Sequence, residues 1–417
     1  MYYPRIIEPS IAEAAKSFPC VALYGPRQVG KSTVLRHLFP DVPYVTLDDA
    51  ADRALAQENP RLFLETYGWP LAIDEVHKAP ELFEQMKIAI DQQRLDWLES
   101  GNPRSLMYLV SGSNQFELRE HVSETLAGRI AELDLSSFSQ REAEHRSGSL
   151  FDPSIEKLLA KARSAGFTPK TRREIFESIF RGGMPDVVTG VSERDVYFKS
   201  YVSTYIEKDV LRLIAADRES TFVSFMEYAA LRTAQQVNYD DIARNIGIDN
   251  ATCKRWFSIL ESSGVIVRLQ PYLTSASTRI VKTPKMYFMD TGLCAYLCKW
   301  PDAGMLERCA MAGAFYETYV VSEMIKSFQN ANVDPKRHLY YYRDKDSKEV
   351  DILYVKDGAI FPIEVKKGIS PVKPTKNFSV LAKYKMPVMP GLVIDSADKI
   401  RPINENAYTC PVGLVGA

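Results

Sequence analysis

Five short apolar runs, at residues 21–24, 43–47, 71–74, 106–110 and 131–135, punctuate the N-terminal part of the chain, and stretches of helical spacing such as 80–92 separate them. Continuous apolar runs of this length suit strands buried on both faces, and their alternation with helices is the βαβ rhythm of a parallel sheet. After residue 147 the pattern changes. A Ser-, Lys- and Gly-containing stretch leads to a predicted helix over 171–180 and a turn over 181–185. Residues 196–213 then repeat apolar positions at helical spacing, with Tyr201, Val202, Tyr205, Ile206 and Val210 in one band that reads as core.

Residues 239–262 give a tighter pattern: a short helix over 240–246, a turn at Gly247, and a second helix capped by Asn250 with Cys253, Trp256, Phe257 and Leu260 facing inward. Gly264 ends that helix, and 265–269 starts a wing strand whose partner returns near 286–289. Near the C-terminal end, Asp357-Gly358 separates two apolar stretches, the signal of a two-residue hairpin. With those residues at the turn, Lys356 pairs with Ala359. Counting outward sets Asp351 opposite Glu364, and Lys366 shares their face by the period of two.

The first apolar run leads into Gly25 to Ser32, GPRQVGKS, the full G-x-x-x-x-G-K-[ST] phosphate-binding loop, with a predicted helix over 33–38 behind it. Backbone N–H groups and the helix N-terminus cradle phosphates in such a loop. Gly25, Pro26, Arg27, Gln28, Val29, Gly30, Lys31, Ser32 and Thr33 therefore form the candidate ATP site, with Lys31 countering phosphate charge and the Ser32 hydroxyl able to coordinate Mg²⁺. The run PLAIDE ends in an acidic pair, in which Asp74 is the candidate for the Mg²⁺ shell and Glu75 for orienting the attacking water. Ser113 and Asn114, after the fourth run, either face the γ-phosphate or cap the next helix. Arg129, just before the fifth run, is a candidate finger or sensor in the same or a neighbouring subunit; the alternative is a surface or helix-terminal charge.

Composition narrows the partners. The 417 residues leave room for two or three domains, and a net charge of −1 gives no global pull toward nucleic acid, so any such contact must come from local patches. Lys254, Arg255 and Ser258 on the second helix, with Arg268, Arg279, Lys282 and Lys285 on the wing, can meet phosphates, unless this unit merely packs between domains. Lys336, Arg337, Arg343, Lys345, Lys348, Lys367, Lys373 and Lys376, interleaved with Tyr340, Tyr341 and Tyr342, offer a second patch. The six cysteines are scattered and read as reduced thiols. The start of the chain lacks a signal-peptide core and no run approaches membrane-spanning length, so the expectation is a cytoplasmic protein without membrane contact.

Two carboxylates directly opposed in a hairpin repel unless a cation sits between them. Asp351, Glu364 and Lys366 form the D-(x)n-E-x-K arrangement of restriction-endonuclease-like nucleases, in which the acids hold Mg²⁺ and the lysine helps position water. Glu317 is placed to add a further acid, and Glu323 is a weaker candidate. The alternative is a salt-bridged triad without cleavage.

Through GPRQVGKS, LAIDEVHK, SGSNQF, LAGRIAELDL, FRGGMPD, FMDTGLCAYL, GAFYETYVVSE, YYYRDKDSKEVDILY and IEVKKG, the chain resembles the prokaryotic AAA+-type ATPases that join an N-terminal ATPase domain to an uncharacterised C-terminal domain of winged-helix and restriction-endonuclease-like parts. The resemblance runs nearly end to end. It implies ATP bound by Gly25, Gly30, Lys31 and Ser32, Mg²⁺ and water served by Asp74 and Glu75, and a nuclease-like site marked by Glu317, Asp351, Glu364 and Lys366. The chain departs from the family pattern at Ser32, where threonine is usual, and at SGSNQF, which leaves the sensor open.

The expected fold class is α/β: a P-loop AAA+-like domain with a parallel sheet over 1–145, a helical connector over 146–215, a winged helix-turn-helix over 216–292 and an α/β restriction-endonuclease-like domain over 293–417. The leading functional expectation is a Mg²⁺-dependent ATPase whose nucleotide state is coupled to a nuclease-like module acting on DNA, with a homo-oligomer possible for the architecture. The rival is an ATP-dependent regulatory switch that docks a protein partner and does not cleave.

Overall fold

The computed structural model describes residues 2–101, 105–113, 115–164, 167–205, 218–272, 283–369 and 373–416. Asn114, Ile206, Val210, Arg279 and Lys282 lie outside the described residues. Packing divides the chain into two units, one of 1–136 with 262–264 and 329–332, the other of 137–261, 265–328 and 333–417.

In the first unit α1 (Glu8–Ser17) precedes β1 (Cys20–Tyr24), α2 (Lys31–Leu38), β2 (Tyr44–Thr46), α3 (Ala50–Glu58), α4 (Pro60–Tyr67), β3 (Leu71–Asp74), α5 (Glu81–Ser100), β4 (Tyr108–Gly112), α6 (Gln115–Thr125) and β5 (Ile130–Asp134). The five strands form one sheet in the order β2-β3-β4-β1-β5, parallel throughout. All five positions of β1, all four of β3 and all five of β4 are buried, which is why their sequences read as continuous apolar runs. One core, including Ala22, Ile73, Phe83, Met86 and Val110, holds the strands that end at the phosphate loop.

In the second unit, helix Arg172–Arg181 occupies the predicted stretch 171–180 and helix Arg194–Tyr205 the described part of 196–213, with Tyr201, Val202 and Tyr205 buried. Helix Tyr239–Ile246, a turn at Gly247 with φ 78° and helix Asn250–Ser262 follow. Cys253, Trp256, Phe257 and Leu260 are buried as expected. The cap differs from expectation: Asp249 Oδ1 accepts the Thr252 N–H at 2.8 Å, so Asp249 rather than Asn250 caps the second helix. The short β6 (Gln235–Gln236), β7 (Ile266–Leu269) and β8 (Lys285–Phe288) make a three-stranded antiparallel sheet with β8 at its centre.

Helix Ala312–Asn330 leads to a six-stranded mixed sheet of β9 (Leu339–Arg343), β10 (Glu349–Lys356), β11 (Ala359–Val365), β12 (Gly391–Asp395), β13 (Pro402–Asn404) and β14 (Ala407–Pro411), in the order β13-β14-β12-β11-β10-β9. The β10–β11 hairpin has the expected register, from Lys356 opposite Ala359 to Ile352 opposite Ile363. Asp357 and Gly358 take φ 50° and 74°, the left-handed pair that a two-residue turn demands. The tyrosines of β9 correct one expectation. Tyr340, Tyr341 and Tyr342 are all buried, so they are core residues and offer no stacking surface for bases. Among the described residues no helix is long and apolar enough to cross a membrane.

Candidate functional site

The loop between β1 and α2 takes the path its glycines permit. A Cβ on Gly25 would fall 2.2 Å from the Leu135 carbonyl oxygen, and Gly30 has φ 95°, a left-handed conformation that closes the loop onto the first turn of α2. Val29 is buried, Gln28 and Thr33 are exposed, and Pro26 and Arg27 are intermediate. Lys31 is buried, with Nζ donating to the carbonyl oxygens of Gly25 and Pro26 at 2.8 Å each. Arg5, which sequence reasoning missed, is also buried. Its guanidinium donates to the Val29 carbonyl at 2.8 Å and to the Ser136 carbonyl at 2.7 Å, fixing the loop backbone from outside. No local pattern marks an arginine before α1 for this task.

Asp74 ends β3 beside Ser32. Its Oδ2 accepts the Ser32 hydroxyl at 2.7 Å and the Tyr44 hydroxyl at 2.5 Å, and its Oδ1 accepts the Ser111 hydroxyl at 2.5 Å. Burial pushes the Asp74 carboxyl up, but the hydrogen bonds from Ser111, Tyr44 and Ser32 together with the Lys31 charge hold it below the usual range, so it stays ionised. Burial, and then the bond to Asp74, pushes the Tyr44 phenol up. The candidate ligands are therefore the ionised Asp74 carboxylate and the Ser32 hydroxyl it touches, a hard-oxygen pair of the kind that suits Mg²⁺. Tyr44 and Ser111 come from the neighbouring strands β2 and β4, which the sequence places next to β3 only once the strand order is known.

Glu75 follows at φ 54°. Its Oε2 accepts both the Ser113 N–H at 3.0 Å and the Ser113 hydroxyl at 2.9 Å, and lies 3.3 Å from Nδ1 of the buried His77. Ser113 thus meets the candidate water-orienting residue, Glu75.

Arg129 does not. In the parallel sheet Cys20 pairs with Ile130 and Tyr24 with Asp134, so the start of β5 lies at the sheet edge opposite the loop, about 16 Å away by strand rise. The Arg129 guanidinium is instead bidentate to Asp91, at 2.7 and 2.8 Å, and serves no γ-phosphate of its own subunit. Arg119 of α6 lies nearer, 4.1 Å over the ring of Tyr24, the residue before the loop, and is ion-paired with Asp134.

The second set of predicted residues also comes together. Asp351 Oδ2 accepts the Val365 N–H at 2.9 Å, and Lys366 Nζ lies 2.6 Å from Glu364 Oε1 and 4.0 Å from Asp351. Glu317 joins them from helix Ala312–Asn330, but its Oε1 accepts Lys285 Nζ at 2.8 Å and the Tyr287 hydroxyl at 2.7 Å. Lys285 also lies 2.7 Å from Glu349 and 3.9 Å from Asp351. Lys285 therefore cannot meet phosphates from the wing: its side chain is 3% exposed and lies among acids. Burial opposes the Lys285 charge, but Tyr287, Glu317, Asp351 and Glu349 together hold its pKa well above the ordinary value. Burial, then Asp351, pushes both Glu317 and Glu364 up to about 7.

The expectation of a divalent cation here meets a lysine instead. Among the described residues no group of three His, Cys, Asp or Glu side chains is disposed to hold a metal ion. Glu323 lies apart, accepting the Gln140 N–H at 2.9 Å and pairing with Lys326 at 3.2 Å. Arg268 is likewise committed, to Glu261 at 2.7 Å and the Tyr239 hydroxyl at 3.0 Å, whereas Lys254, Arg255 and Ser258 are exposed.

Residues 17–144 match the family described as an AAA domain, and with the phosphate loop this supports nucleotide binding and hydrolysis. Residues 172–304 match a domain of unknown function, DUF8612, and residues 312–415 another, DUF4143. Uncharacterised proteins of Mycobacterium tuberculosis and Mycobacterium bovis are each 26% identical over 356 residues, 85% of this chain and 71% of the relative. Among solved structures, a Walker-type ATPase of Pyrococcus abyssi is 16% identical, with 71% of this chain and 96% of the other covered and a TM-score of 0.43. AMPPCP-bound DnaA from Aquifex aeolicus is 11% identical, with 61% and 86% covered and a TM-score of 0.27.

Proposed function

We propose that this chain, a prokaryotic AAA+-type ATPase joined to a C-terminal domain of unknown function, hydrolyses ATP with Mg²⁺ and works as a switch whose nucleotide state governs the C-terminal module. On this reading residues 1–145 are the ATPase domain, 146–215 a helical connector, 216–292 a winged helix-turn-helix and 293–417 a restriction-endonuclease-like domain. The observation that carries hydrolysis is the Asp74 carboxylate joined to the Ser32 hydroxyl at 2.7 Å. Ser32 and Asp74 would hold Mg²⁺, which when bound supplies Lewis-acid stabilisation of charge on the phosphates. Lys31 turns from the loop carbonyls to the β and γ phosphates, and the loop N–H groups orient them. Ser113 fixes one oxygen of Glu75, whose other oxygen accepts a hydrogen bond from the attacking water and aligns it.

The position of Lys285 favours a module that docks a partner without cleaving. A second reading, cleavage of DNA, is favoured by the convergence of Glu317, Asp351, Glu364 and Lys366, with the exposed Lys254 and Arg255 as DNA contacts. Assembly as a homo-oligomer belongs to either reading and is checked by light scattering with and without ATP.

The test is steady-state hydrolysis of ATP with Mg²⁺, alone and with single-stranded, double-stranded and branched DNA. Wild type turns over, and Lys31→Ala neither binds nor hydrolyses ATP. A wild type that binds no ATP would sink the proposal. DNA cleavage that vanishes in Glu364→Ala would select the second reading.

A further inference from the structure

The four carboxylates of the C-terminal cluster, Glu317, Glu349, Asp351 and Glu364, are gathered from a helix and two strands into a buried space, an arrangement that is unfavourable without counter-charge. Strand β8 supplies it. Lys285 and Tyr287, two residues apart and so on one face, both donate to Glu317 Oε1, and Lys285 reaches on to Glu349. Glu349 is closed from its other side by Arg343 at 3.1 Å. Asp351 gives one oxygen to the Val365 N–H, while the other lies 3.9 Å from Lys285. Glu364 Oε1 is taken by Lys366, and its buried Oε2 lacks a hydrogen-bond partner among the described residues.

A divalent cation held by these acids would have to sit against the Lys285 ammonium, which bonds Glu317 and Glu349 and lies 3.9 Å from the Asp351 oxygen that the Val365 N–H leaves open. Like-charge repulsion in a desolvated space opposes that binding. The residues present do not fit the metal.

We propose that Lys285 is a built-in counter-cation that takes the place of the divalent metal in this nuclease-like centre, so that the C-terminal domain keeps its acids together without metal. The proposal rests on the nuclease-like reading of the domain and is independent of ATP hydrolysis. A tethered ammonium offsets part of the acids' charge without supplying a Lewis acid or a metal-bound water, so the centre holds the fold and does not attack a phosphodiester.

The experiment uses the full chain without nucleotide and follows Mn²⁺ binding by electron paramagnetic resonance and calorimetry. Wild type is expected to show no saturable site that depends on Asp351 or Glu364. Lys285→Ala is expected to gain one, at least tenfold tighter than any wild-type binding and lost again when Glu364→Ala is added. Saturable binding by wild type that disappears in Asp351→Asn overturns the proposal without needing a folded lysine variant. A folded Lys285→Ala that takes up no Mn²⁺ overturns it as well. The ATPase rate of wild type, measured in parallel, reports on the switch reading separately.

Discussion

The two acidic centres of this chain use their lysines differently. At the phosphate loop, Lys31 donates to the carbonyl oxygens of Gly25 and Pro26, while Asp74 and Glu75 are held by hydroxyl and amide donors from Ser32, Tyr44, Ser111 and Ser113. Neutral donors orient a carboxylate and leave its charge intact. In the C-terminal cluster the carboxylates face ammonium groups, Lys285 against Glu317 and Glu349, Lys366 against Glu364. An ion pair spends the charge that a metal would use. On the proposed reading one centre receives a cation and a phosphate chain, and the other has much of its charge offset by its own side chains.

The contrast breaks most readily at Glu75. Glu75→Gln keeps the Ser113 bonds approximately in place but removes the carboxylate, and kcat should fall about a hundredfold to ten-thousandfold with ATP affinity retained, as read by hydrolysis and equilibrium binding. If kcat is unchanged, Glu75 does not orient the water. The matching change in the other centre, Lys285→Met, should cost about 3–5 kcal/mol of stability in urea unfolding, because it leaves buried acids uncompensated. Lys31→Met, which releases the Gly25 and Pro26 carbonyls, should by comparison alter stability little while abolishing ATP binding.

Finer changes sharpen the picture. Ser113→Ala removes one charge-assisted hydrogen bond to Glu75, and kcat should drop roughly tenfold to a hundredfold with KM for ATP nearly constant. A change in KM alone would place Ser113 on the nucleotide instead. The smallest effect belongs to Arg129→Ala. Loss of a partly exposed ion pair with Asp91 should lower stability by under about 1 kcal/mol and leave kcat unaltered, whereas a collapse of turnover would restore Arg129 as a finger supplied across subunits.

Much of the frame was legible in the sequence. The loop GPRQVGKS, the burial of strands 71–74 and 21–24, and the hairpin register around Asp357-Gly358 all appear as read, since each depends on neighbours a few residues away. The choice left open for Arg129 could not be made from sequence, because adjacency to a strand does not say which end of the sheet it occupies. The tyrosines of β9 were misread because alternation with basic residues resembles a surface, while both faces of that strand are covered.

The sequence alone determined where phosphate is to be cradled, which acids follow, and which residues share the face of the C-terminal hairpin. Those features follow from local backbone preferences and from the fixed period of a strand. Only the tertiary structure decided that Tyr44 and Ser111 flank Asp74, that Arg5 braces the loop, and that Lys285, 32 residues before Glu317 and 64 before Glu349, lies among the acids of the hairpin. These partners are distant in sequence and meet only through strand order and packing, and the charge they carry is what distinguishes the two acidic centres.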